Sequence, residues 1–288
     1  MDGLPSPTLR TLVVPAAVDV VSLVVVVVPA MLYMVGIRRL RVRGRGWRPA
    51  RTAAFLAGSV VMLLATQSGM ARYDTTLFSV HVAQHVLLSM IAPVLLVLGA
   101  PVTLALQASG GNTAGGLRTL LRSPAARVIT HPVVATAAFA LSLYVLYLTP
   151  LYELSLRHDV VHAWVHLHFV VVGTLFAAVV VGVDPLPARW PHPLRLLLVG
   201  LTLPAHAILG LVLLTADEPL AGEWYAAVER GWGGAPLADQ HAGAAILWGA
   251  GELISVGVAL VVVAQWMRHS EREARRADLR LDRLGGVL

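Results

Sequence analysis

The sequence predicts an all-α fold: a polytopic membrane protein built as a bundle of seven transmembrane helices, N-terminus outside and C-terminus cytoplasmic. Three observations carry this. Only 13% of the 288 residues are charged and 57% are hydrophobic, whereas soluble domains carry about 25% charged residues. The apolar residues gather into runs of roughly twenty, the length a helix needs to cross a hydrocarbon core of about 30 Å. The 22 basic residues, all of them arginine, crowd into alternate connecting segments, the pattern of the positive-inside rule.

The first run, 12–37, is longer than the apolar stretch of about 7–15 residues in a secretory signal, so it reads as a span. The others follow at 52–71, 81–107, 131–149, 160–183, 194–216 and 243–267. Residues 1–267 then form a membrane domain and 268–288 a charged cytoplasmic tail. With the N-terminus outside, eighteen arginines fall on the cytoplasmic side and only Arg10, Arg72, Arg157 and Arg230 on the other. The tail, RHSEREARRADLRLDRL, alternates charge at helical spacing and should continue the seventh helix.

Composition also excludes. There is no cysteine, which removes disulfides, thiolate metal sites, iron–sulfur clusters and thiol nucleophiles. The pI of about 10.4 would suit nucleic acid in a soluble protein. Topology accounts for the charge here, so the expected partner is the lipid bilayer and not nucleic acid.

The histidines are distributed unevenly. Eight of the eleven fall on the outer side or in the outer half: His81, His85, His158, His162, His166, His168, His206 and His241. His131, His192 and His269 belong to cytoplasmic ends. His81 and His85 are spaced i, i+4, on one helix face and about 6 Å apart along the axis. His158, His162 and His166 repeat that spacing, while His168 lies about 200° around from His166 and faces elsewhere. Two H-x3-H pairs at one membrane depth make a four-imidazole cage, and imidazole suits copper, zinc, iron and nickel. Interfacial histidines can also simply anchor helix ends, but chance would scatter them over both faces.

Other polar residues extend the candidate set. Asp19, about seven residues into the first run, His206 and Glu252 are ionisable groups within spans, where such groups are costly and usually paired or functional. His206 and Glu252 fall at similar depths and are expected partners. Asp239 reads either as the N-cap of the seventh helix or as an oxygen ligand. Met62, Met70 and Met90 read as core filler. The candidate metal residues are thus His81, His85, His162 and His166, joined by His158, Asp239, His206 and Glu252.

Three stretches resemble the CtaG-like family of cytochrome c oxidase assembly factors: HVAQHVLLSMIAPVLLVLGAP (81–101), HDVVHAWVHLHFVVVGTLFAAVVVGVDPLP (158–187) and LADQHAGAAILWGAGE (237–252). The resemblance runs over about 60–267. It implies a bacterial cytoplasmic-membrane protein needed to assemble haem-copper oxidase, with copper delivered to an oxidase subunit and an extracytoplasmic copper carrier as a further partner. It marks His81, His85, His162, His166, Asp184, Asp239 and Glu252. Asp184 belongs to the cytoplasmic end of the fifth span, so it is expected to fix a helix end or loop.

The expected function is therefore a non-enzymatic assembly factor that binds copper on the outer side. The alternative is a haem b redox protein with bis-histidine ligation; zinc also fits the imidazoles. A zinc hydrolase is disfavoured because no H-E-x-x-H motif is present. A transporter is disfavoured because no paired, broken helices are evident.

Overall fold

Backbone in lipid must satisfy its own hydrogen bonds, so the apolar runs form helices. The computed structural model describes residues 4–15, 19–228 and 230–285, with side chains as far as Leu279. Its principal helices are α1 (Val20–Val42), α2 (Pro49–Gln67), α3 (Phe78–Ala108), α4 (Pro132–Tyr147), α5 (Leu151–Arg157), α6 (Asp159–Val181), α7 (His192–Leu214) and α8 (Pro236–Gly285). Six are long and apolar enough to span a membrane alone, and α4 with α5 forms a seventh, bent by 70°. The bend falls at Pro150, which lacks an N–H and crowds the preceding turn. No strand occurs among the described residues.

The bundle is apolar on its outside as well as within. Leu201, Leu211, Leu253 and Leu260 are exposed, as lipid-facing residues must be, and the interior is filled by Phe139, Phe169, Phe176, Leu209 and their neighbours. In α3 and α6 half of the apolar window is buried, against 22% in α1. These two central helices both begin at the same end of the bundle, and their first turns carry the two H-x3-H pairs.

Where α3 meets α6 the backbones nearly touch. A Cβ on Gly173 would collide with the Ser89 carbonyl, so only glycine allows this approach. Ser89 belongs to a π-helical turn, Leu87–Ile91, immediately after His85. Such single π turns are frequent at functional sites. Further along, Ala100 adopts a left-handed conformation (φ 52°), and α3 restarts at Pro101.

Two expectations need correction. The first run does not span from residue 12: a short helix, Leu9–Val13, precedes α1, and residues 16–18 lie outside the described residues. Asp19 is accordingly not inside a span. It is the N-cap of α1, accepting from the Val21 N–H at 3.0 Å and bonded to Ser22, while Gln67 at the end of α2 hydrogen-bonds its backbone. An aspartate satisfies a free N–H at a helix start. The seventh helix, α8, starts earlier than its apolar stretch, at Pro236, and, as the charge alternation predicts, carries the tail as unbroken helix to Gly285.

Candidate metal centre

The two H-x3-H pairs meet. Each pair shares one helix face, and the contact of α3 with α6 sets the faces against each other. The four rings form a closed quadrilateral. Ring centroids of His81 and His85 are 4.1 Å apart, His85 and His166 5.4 Å, His166 and His162 4.3 Å, and His162 and His81 5.4 Å. The ligand atoms of His81, His85 and His162 all lie within 4.8 Å of one another. A second trio, Asp74, His162 and His166, meets the same condition.

Burial makes the arrangement costly. His81 is fully buried, His85 is 2% exposed and His162 9%. Both ring nitrogens of His81, and Nε2 of His85, His162 and His166, have no hydrogen-bond partner. A buried polar atom without a partner costs about 1–3 kcal/mol, and native proteins tolerate few. His85 Nδ1 has only the Tyr147 hydroxyl, at 3.4 Å. Five nitrogens from four rings thus stand without partners, and one from each of His81, His85 and His162 is close enough to the others to serve a single cation. The donor set is nitrogen and oxygen, as suits copper or zinc.

Asp74 joins the cluster from the segment between α2 and α3. Its Oδ2 lies 3.8 Å from His162 Nε2, and it is 3% exposed. Burial pushes its carboxyl up to about 7, so without a positive partner it holds its proton well above the usual carboxylate range. An arriving cation would favour the ionised form.

Aromatic rings wall the cluster. Tyr152 lies 5.0 Å from His81 and Phe169 4.7 Å from His85, centroid to centroid. Tyr147 and Tyr152 come from the two arms of the bend between α4 and α5, so the bend itself presents both to the histidines. The Tyr152 and Tyr225 hydroxyls are hydrogen-bonded at 2.5 Å.

The other expected residues fall elsewhere. His158 is the exposed N-cap residue of α6, and its side chain does not cap. His168 faces away, as its angular position requires, and bonds Ser142 Oγ at 2.7 Å. Asp239 caps a helix, but not its own: its carboxylate accepts from the Phe78 N–H (2.7 Å) and from Ser79 Oγ (2.5 Å), so it closes the start of α3 from α8. His206 is buried among apolar neighbours 5.9 Å from Phe139, with Gly251 packed against its ring. The expected pairing with Glu252 does not form, since no hydrogen bond or ion pair joins them among the described residues. Met62 and Met90 are buried in apolar clusters, outside both trios.

At the opposite end Asp184 does fix a helix. It accepts from the Val102 and Thr103 N–H groups (3.2 and 2.8 Å) and from Thr103 Oγ1 (2.6 Å), capping the second segment of α3.

Sequence reasoning missed Asp74, Tyr147 and Tyr152. An acidic residue in the loop just before His81 was the one available signal. The tyrosines depend on the bend, which spacing along an apolar run does not reveal.

Fold and site together define a multi-pass helical membrane protein with a largely buried cluster of four imidazoles and a carboxylate near one end of its bundle. The particular family follows from comparison. The family model of the cytochrome c oxidase caa3 assembly factor matches residues 31–269, and the chain belongs to that family. It is 38% identical over 263 residues to uncharacterized proteins of Mycobacterium bovis and Mycobacterium tuberculosis, covering 89% of this chain and 40% of each relative. An uncharacterized protein of Mycobacterium leprae is 38% identical over 257 residues, covering 87% of this chain and 39% of the relative. The chain thus spans about two fifths of the length of these relatives. No solved structure matches it.

Proposed function

We propose that this chain assists cytochrome c oxidase assembly by holding a copper ion between α3 and α6 and passing it to an oxidase subunit. His81, His85, His162 and His166 are the donors and Asp74 adds a carboxylate. The observation that carries the reading is the meeting of four imidazoles inside the bundle, five of whose nitrogens have no hydrogen-bond partner. The family supplies the client, a haem-copper oxidase, and the client's need selects copper among the metals that imidazole suits. In this reading the chain lies in a bacterial cytoplasmic membrane with the histidine end outside, where a soluble copper carrier can load it. No catalytic role is proposed.

The geometry favours an ion over haem. A porphyrin between the two pairs would have to separate α3 from α6, which are held together at Ser89, one turn past His85, and Gly173, two turns past His166. The four rings already approach to 4.1–5.4 Å.

Two experiments test the proposal. In cells lacking the chain, oxidase activity should fall and added copper should restore it; full complementation by a variant without the four histidines would sink the copper role. An alkaline-phosphatase fusion after Leu288 should be inactive, and an active one would reverse the orientation.

A further inference from the structure

The end of the bundle opposite the histidines holds a large arginine-lined cavity that the metal reading leaves unused. It has a volume of about 830 Å³ and lies between the start of α2, the connection from α6 to α7, and the segment of α8 just past its apolar stretch. Five arginines line it: Arg51, Arg189, Arg195, Arg268 and Arg272. His192 and His269 line it as well, their rings 5.5 Å apart. No carboxylate is among its lining residues. Glu273 lies beside it, its Oε1 3.2 Å from His269 Nε2.

Helix capping accounts for only part of this charge. Arg195 is 2% exposed and its Nη1 donates to the Val180 and Val181 carbonyls, each at 3.0 Å, at the end of α6. Arg189 donates to the Gly182 carbonyl. A helix C-terminus offers about half a negative charge, too little for two guanidinium groups. Arg195 Nε remains buried without any partner. Arg51, Arg268 and Arg272 make no ion pair among the described residues. Like charges gathered around one cavity repel unless an anion joins them.

We infer that this cavity binds a phosphate-bearing anion, with the buried Arg195 at its base and Arg268 and Arg272 at its mouth. Guanidinium forks match phosphate oxygens in geometry and charge, whereas a carboxylate-free pocket gives no purchase to cations. A phospholipid headgroup and free phosphate share this chemistry. The surroundings fit the lipid: exposed Leu194, Leu197 and Leu201 form a stripe along α7 leading from the cavity, and Trp190 and Trp266 stand at its wall. Basic pockets between helix ends, flanked by interfacial tryptophan, are where anionic headgroups bind.

The test uses the full chain in phosphatidylcholine nanodiscs, with and without phosphatidylglycerol, and in parallel with inorganic phosphate. Thermal unfolding and retained phospholipid are read for the wild type, for the double variant Arg268→Gln/Arg272→Gln, and for Arg118→Gln/Arg122→Gln, which removes two arginines from the bundle surface outside the cavity. Phosphatidylglycerol should raise the unfolding temperature and be retained, and the cavity variant should weaken its binding about tenfold or more, with the control unchanged. Stabilisation by inorganic phosphate alone, lost in the cavity variant, would identify free phosphate as the occupant. Equal behaviour in phosphatidylcholine and phosphatidylglycerol with no response to phosphate would overturn the inference. So would a control variant as impaired as the cavity variant.

Discussion

The two ends of the α3–α6 pair handle buried polar groups in opposite ways. At the arginine end, Asp184 and Arg195 are buried because helix termini need them: one closes the N–H groups at Val102 and Thr103, the other the carbonyls of Val180 and Val181. At the histidine end the start of α3 is already closed, by Asp239 reaching over from α8. The four imidazoles there are surplus to what the backbone requires, and five of their nitrogens remain unpartnered. Buried polar groups that finish a helix explain themselves. Those left over after every terminus is satisfied point to a ligand.

The histidines repeat the contrast. His192 and His269 tilt against each other at the arginine end and His269 meets Glu273, while His131 rests edge-on to Trp190 at 5.9 Å. If the surplus argument holds, His85→Ala or His162→Ala should weaken copper binding by about a hundredfold or more, since loss of a partner that merely orients a ligand already costs about 10–100-fold. His192→Ala and His269→Ala should leave affinity unchanged in the same titration. Comparable losses at both ends would erase the distinction.

Asp74 sharpens the comparison within the cluster. As a carboxylate beside His162, it should contribute less than a central imidazole, so Asp74→Asn should lower copper affinity about tenfold. Asp184→Asn, equally buried but at the other end, should not alter it.

The two capping aspartates separate fold from site. Asp239→Ala and Asp184→Ala should each lower unfolding free energy by about 1–2 kcal/mol. Only the first should also reduce copper affinity, because the turn it caps leads directly into His81. The smallest effect belongs to His158→Ala: an exposed side chain that caps nothing should change stability by less than about 0.5 kcal/mol and leave copper binding as it was.

Much of this was legible in the sequence because lipid makes strict demands. Runs long enough to cross a bilayer had to be helices, and i, i+4 spacing put each histidine pair on one face whatever the neighbours did. Asp184 was readable as a helix-end residue because it followed an apolar run next to a proline. What periodicity cannot carry is which helices touch. Asp239 read as a cap of its own helix or as an oxygen ligand, and instead caps α3, 161 residues earlier. His206 and Glu252 share a depth but not a contact, because Gly251 draws the His206 ring against the α8 backbone. Asp74 entered the site from a connecting segment, and Asp19 left its span for a cap, since apolar residues flank both sides of a helix start that composition alone does not mark.

Metal content read with the visible spectrum tests most directly whether the surplus imidazoles hold a copper ion. Purified full chain, exposed to copper and washed, should retain it in proportion to protein, with weak copper bands or none, and should lose it when His81, His85, His162 and His166 are replaced. A stoichiometric haem spectrum that vanishes in that variant, or copper retained without those four residues, would contradict the account.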